Sequence, residues 1–363
     1  MIPPPSRMAA FQSGPGRAVS KHGAFSLLET LIVMTILAMM ALIVSQMVRS
    51  TTSTIKQAER RMDADAQARL VFNRMARDFE GMARRGDINF LLQSQSGNDA
   101  FYFFSEATGH FAESDPYGVG STARNTLSLI GYRMNDKVSG GARVELERLG
   151  RGLHWFDYTA GSGDSTAVCY LPATIAVNFA TPLADTYNNS SNLYPSSTAT
   201  VPQWDVVGDQ VARMEYCLLL KDGTFSVIPV ISPYHTGAAA PLATDDSGSG
   251  YSIGSRWYDE THKVGYICKA ATSGSAVWGP LGIQDISAVI VSLAVIDGGS
   301  RIVADQTALA KLTTLLPDFD PANPVLMSAT WQSVISQTTF AKKAGLPASA
   351  ASAVRIYQRY FYF

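Results

Sequence analysis

Residues 23–44 read GAFSLLETLIVMTILAMMALIV, and the rest of the 363-residue chain reads outward from that run. Between Phe25 and Val44 the one ionisable side chain is Glu29, and the other polar groups are small hydroxyls. About 20 such residues at 1.5 Å each cover the hydrocarbon thickness of a bilayer, which predicts one membrane-spanning helix. Upstream stand Arg7, Arg17, Lys21 and His22, with no acidic residue among them. Such a basic flank keeps the N-terminus cytoplasmic and sends the bulk of the chain across. An ordinary secretory signal has a shorter apolar core, and its small-residue cleavage site follows that core. Here the small pair Gly23-Ala24 precedes the run, so cleavage at that point leaves the hydrophobic helix on the mature protein.

The string GAFSLLETLIVMTIL, residues 23–37, resembles the prepilin processing motif of type IV pilins and type II secretion pseudopilins. That resemblance implies a prepilin peptidase that cuts just before a Phe, N-methylation of the new terminus, and a Glu at the fifth mature position. Counted from Phe25, Glu29 falls there, with Ser26, Leu27 and Leu28 between. The departure is at the cut itself: the family usually has Gly before it, whereas this chain has Ala24, with Gly23 one place earlier. Cleavage after Gly23 would shift Glu29 by one position; the aromatic start and the Glu spacing favour the Ala24–Phe25 bond. The resemblance further implies that the Glu29 carboxylate of one subunit meets the free α-amine of its neighbour's Phe25 in a filament of parallel helices. Physics gives the pairing a motive, because an ionised group in a membrane helix costs a few kcal/mol (about 2.5–3.5 on insertion scales) unless it finds a partner. The plainer reading has Glu29 near the membrane surface, snorkelling to water.

Beyond the bilayer run the helical pattern continues. Residues 50–85 contain no proline and a single glycine, Gly81, among good helix formers. Phe72, Met75, Phe79 and Met82 recur at three- and four-residue steps, a stripe expected to pack on the protein's own sheet. Gly86-Asp87 is the expected stop. The remainder reads as strands: 100–104, 126–134, 142–149, 153–158, a hairpin of 211–220 with 224–231 about Lys221-Asp222-Gly223, a long β-branched run at 286–296, and the closing VRIYQRYFYF at 354–363. Helices are expected within 305–315 and around 334–343. Three Ser/Thr/Asn/Gly-rich stretches, 184–200, 236–255 and 270–279, are expected as surface loops or partly disordered segments that bury little area. The fold class is therefore α+β, a long N-terminal helix packed on an antiparallel β-sheet head. Its parts are a basic leader (1–24), a transmembrane half-helix (25–48), a soluble amphipathic half-helix (49–85) and a β-rich head (86–363).

Composition narrows the function. With a net charge of −1 and 16% charged residues, nothing suggests a nucleic-acid binder or a protein wrapped on anionic lipid. Cys169, Cys217 and Cys268 lie far apart with no CxxC pair, so one disulfide with a thiol left over and three separate thiols both stay open. Gly250-Tyr251-Ser252-Ile253-Gly254 fits G-x-S-x-G, but neither a strand before it nor a helix after it is evident, so Ser252 is a weak nucleophile candidate. His110, His154, His235 and His262 show no paired ligand spacing. Asp318-Phe319-Asp320 with Asn323 faintly follows a calcium-loop pattern without its glycine and terminal Glu; the resemblance leaves calcium in the head open, and no other cofactor is expected. The element order resembles the J-type minor pseudopilins of type II secretion, and the leader and ending are similar to the Verru_Chthon cassette protein C group of pilin-like proteins. The resemblance implies a non-enzymatic minor subunit of a pilus-like or pseudopilus filament, held in a bacterial inner membrane with its head outside the cytoplasm. Its expected partners are a prepilin peptidase, other pilin or pseudopilin subunits and the membrane, with no nucleic acid. The alternatives are a membrane-tethered adhesin or substrate receptor that never polymerises, and an anchored envelope enzyme using Ser252.

Overall fold

The computed structural model describes residues 26–84, 90–94, 96–107, 124–135, 144–154 and 204–363. The leader, the processing residues Gly23, Ala24 and Phe25, the Gly86-Asp87 pair, Cys169, His110 and the 184–200 stretch lie outside the described residues. The chain divides into two compact units, Met1–Gln57 and Ala58–Phe363.

Helix α1 (Leu27–Glu80) is a single element of 54 residues that passes through the boundary between the units. In the first unit none of its described side chains is buried. In the second unit it buries Ala64, Ala68, Val71, Phe72, Met75, Asp78 and Phe79, the stripe set by the three- and four-residue spacing. The helix stops at Glu80, earlier than Gly86-Asp87, because its exit is captured by a strand. Ala83 N–H donates to the Phe104 carbonyl, Glu106 N–H donates to that of Gly81, and Met82 bridges to Ser105. Gly81 is required there, since a Cβ would sit 2.9 Å from Ser105 Oγ.

The first sheet is an antiparallel meander in sequence order, β1 (Leu91–Gln93), β2 (Ala100–Ser105), β3 (Arg124–Asn135), β4 (Glu145–His154) and β5 (Trp204–Gly208). The second has the order β13–β12–β6–β7, with β6 (Val211–Leu220) and β12 (Ile286–Val295) central and β13 (Arg355–Tyr362) on an edge. Both neighbours of β12 run antiparallel to it. The hairpin after β6 forms, with the Asp222 carboxylate accepting from Thr224 and Gly223 at φ 85. Its second strand β7 spans only Phe225–Ser226 rather than 224–231. Ser226 Oγ accepts from Ile228 N–H and Asp285 accepts from Ile231 N–H, drawing the chain away from the ladder.

One main core joins these layers. Phe79 of α1 stacks on Phe103 of β2 at 4.7 Å and on Phe361 of β13 at 4.9 Å, so one ring touches both sheets. The opposite face of the first sheet carries a smaller cluster of Leu91, Tyr102, Phe104, Leu129 and Leu149. Between β12 and β13 run six short helices: α2 (Gly298–Val303), α3 (Gln306–Ala310), α4 (Leu312–Leu315), α5 (Met327–Ile335), α6 (Phe340–Ala344) and α7 (Ala348–Ala351). They cover the second sheet through residues such as the fully buried Trp331, which lies 5.5 Å from the Arg213 guanidinium. The helices expected within 305–315 and near 334–343 are thus present in shorter, broken form.

The 236–255 and 270–279 stretches run mostly as surface loops, as expected, with a 3₁₀ turn at Ser247–Ser249 and with ends that enter strands. They link strands of a third sheet, β8 (His235–Gly237), β9 (Arg256–Asp259), β10 (Val264–Ala270) and β11 (Val277–Pro280), in the order β11–β10–β9–β8 with β8 parallel to β9. Aromatic residues in and beside these stretches pack together: Tyr251 lies 5.5 Å from Trp278 and 6.1 Å from Trp257. Both indole N–H groups bond back to that stretch, Trp257 to the Ala239 carbonyl and Trp278 to that of Asp245. The Asp246 carboxylate accepts from Gly248, Ser249 and Gly274, tying the two stretches together.

Candidate functional site: an uncovered apolar helix with one carboxylate

The described part of the first unit is a bare apolar surface. Leu27, Leu31, Met34, Leu37, Met40 and Val44 are each more than half exposed, and Leu27 reaches 82%. A patch of this extent on a soluble monomer is a site of association with membrane or protein. By length and composition this helix is able to cross a membrane.

The polar groups within 27–44 divide sharply. Thr30 Oγ1 donates to the Leu27 carbonyl at 2.9 Å and Thr35 Oγ1 to that of Ile32 at 2.7 Å. Those hydroxyls are satisfied inside the helix, as a hydrocarbon environment requires. The Glu29 carboxylate, in the first turn, takes part in no hydrogen bond or ion pair among the described residues. Its position also suits the positive end of the helix dipole. Glu29 lies on an exposed helical turn, and the processing residues beside it fall outside the described residues.

The other sequence candidates have local partners. Ser252 follows a 3₁₀ turn (Ser247–Ser249) and precedes strand β9, an order unlike a strand–nucleophile–helix elbow; its Oγ lies 3.4 Å from Ser255 Oγ. His262 Nδ1 sits 2.7 Å from the Asp259 carboxylate, which also accepts from Thr261 and His262 N–H and so closes the β9–β10 turn. Asp318 is taken up by Arg213 Nη2 at 2.6 Å and Gly97 N–H at 3.1 Å, and Asp320 by Ala322 N–H. Among the described residues no three His, Cys, Asp or Glu side chains converge on a common point. Cys217 and Cys268 are free thiols, both buried. Burial, then the charges of Glu215 and Asp99, push the Cys217 thiol up to about 12.

Sequence reasoning missed two buried polar networks that fix the head. In one, Asp78 of α1 accepts from Arg148 Nε at 2.6 Å and Nη2 at 2.9 Å, a bidentate pair, and from the Tyr132 hydroxyl at 2.5 Å. Burial first, then the Asp78 charge, hold the Tyr132 phenol well above its ordinary range. The available signal was the place of Asp78, three residues after Met75 and so on the face of the apolar stripe. In the other, Arg213 bridges Glu215 and Asp318 while its Nη1 donates to Asn98.

No known protein family, no characterised protein and no solved structure matches this chain.

Proposed function

We propose that the protein is a minor pilin-like or pseudopilin-like structural subunit, cut by a prepilin peptidase at the Ala24–Phe25 bond and joined to a filament through α1. The observation that carries this reading is Glu29. It is the sole ionisable group of the uncovered apolar run 27–44, whose two threonines satisfy themselves, so the carboxylate is the one side chain there that calls for an external partner. In the proposed assembly that partner is the α-amine of a neighbour's Phe25. The N-terminus starts in the cytoplasm of a bacterial cell, and the head lies across the inner membrane or on a surface filament. A head of this size, with three sheets, fits a low-copy position better than the bulk of a filament.

Replacing Glu29 tests the proposal. Glu29→Val is expected to keep membrane insertion and to lose co-purification with the sheared or cross-linked filament fraction. Unchanged incorporation would sink the role given to Glu29, and absence of the native chain from that fraction would leave a solitary membrane tether as the reading.

A further inference from the structure

The exposed flank of α1 in the second unit borders a groove of about 810 Å³, closed on its other side by edge strand β5. Arg69, Arg74 and Arg77 line it from the helix, Arg148 forms part of its floor, and Leu70 and Val206 add apolar walls. Asp205 also lines it, and the Arg148 charge is answered by Asp78. Arg74 has only a 4.0 Å approach to that same Asp78. Arg69 and Arg77 make no side-chain hydrogen bond or ion pair among the described residues. At 100° per residue the three helix arginines fall within an arc of about 140°. On a chain of net charge −1, three helix arginines against one acid, Asp205, along the groove make a local concentration of positive charge.

Spacing selects the ligand. Arg69 and Arg77 are eight residues apart, about 12 Å along the axis, with Arg74 between them, too far for one phosphate or carboxylate to span. An extended peptide places alternate side chains about 6.7 Å apart on one face, so three of them cover about 13 Å. The groove's volume falls within the usual range of roughly 300–1,000 Å³ for ligand sites. We propose that this groove binds an extended acidic peptide segment of a partner protein, its alternate carboxylates on Arg69, Arg74 and Arg77 and its intervening side chains against Leu70 and Val206. The assignment does not rest on the filament reading, since every residue it uses belongs to the second unit.

The test uses the full chain in detergent micelles, with the fluorescein-labelled peptide Glu-Val-Glu-Val-Glu followed by fluorescence anisotropy. Saturable binding that weakens with salt is expected. The triple variant Arg69→Gln, Arg74→Gln, Arg77→Gln should weaken it on the order of tenfold, the sum of three surface charge pairs. The corresponding triple Lys variant should keep most of it, which separates lost charge from disturbed folding; Arg77→Gln alone, at an exposed site, should give a smaller loss. Absence of binding, or equal binding by the triple Gln variant, would overturn the proposal. Equal competition by pyrophosphate would overturn it in favour of a small-anion site. Arginine-dependent self-association of the chain without peptide would overturn it in favour of a second copy.

Discussion

At the scale of single residues, Asp78 carries more of the head's architecture than its helix propensity would suggest. It places a charge on the buried face of α1 and answers it with Arg148, 70 residues away, and Tyr132, 54 away. Removing one member of a buried pair leaves the other charge uncompensated, at a cost of about 3–5 kcal/mol. Asp78→Ala is expected to lower the denaturation midpoint followed by tryptophan fluorescence accordingly. Asp78→Leu combined with Arg148→Met should recover most of the loss; no recovery would place the cost elsewhere. Glu215 gives a second test. Burial first, then the Asp99 charge, lift it from 4.5 to about 9 against the pull of Arg213. Between those two values the folded state holds a proton that the unfolded chain has released, so this contribution to stability is full below about 4.5 and is lost as pH rises toward 9. The fall in Tm from pH 5 to pH 9 should be steeper for the native chain than for Glu215→Gln, and equal slopes would contradict the assignment. The place of Asp78 on the stripe face marked one acid for burial, but the partners in both networks come from distant elements that no local period marks.

At the scale of elements, what could be read was what repeats. The stripe 72, 75, 79, 82 predicted the buried face of α1, and the β-branched run at 286–296 predicted the central strand β12. Phe79 is the meeting point of helix and both sheets, so Phe79→Ala should cost about 3–5 kcal/mol, measurable by the same unfolding experiment. What could not be read was the third sheet. Composition marks 236–255 as loop, which most of it is, and gives no sign that the indole N–H groups of Trp257 in β9 and Trp278 in β11 tie that loop to the sheet. Asp246 then pins the backbone with three accepted bonds. Asp246→Ala is expected to speed amide hydrogen exchange across 247–250 and 272–276 while leaving β6 and β12 protected; loss of protection throughout would contradict a local role. The helix stop was misplaced for a related reason, since pairing of Ala83 with β2 ends α1 before its glycine signal.

At the scale of the whole molecule, the chain combines an uncovered apolar helix with a packed α+β unit, and the Glu29 carboxylate is the chemical link between anchor and proposed assembly. The helix was legible from hydropathy alone; its processing bond rests on the resemblance of residues 23–37 to a prepilin motif. The most direct test is therefore the mature N-terminus, determined by intact and N-terminal peptide mass spectrometry of protein from membranes of a host with an active prepilin peptidase. The account predicts a chain beginning at N-methylated Phe25. A chain still beginning at Met1, in cells where a control prepilin is cut, would contradict it.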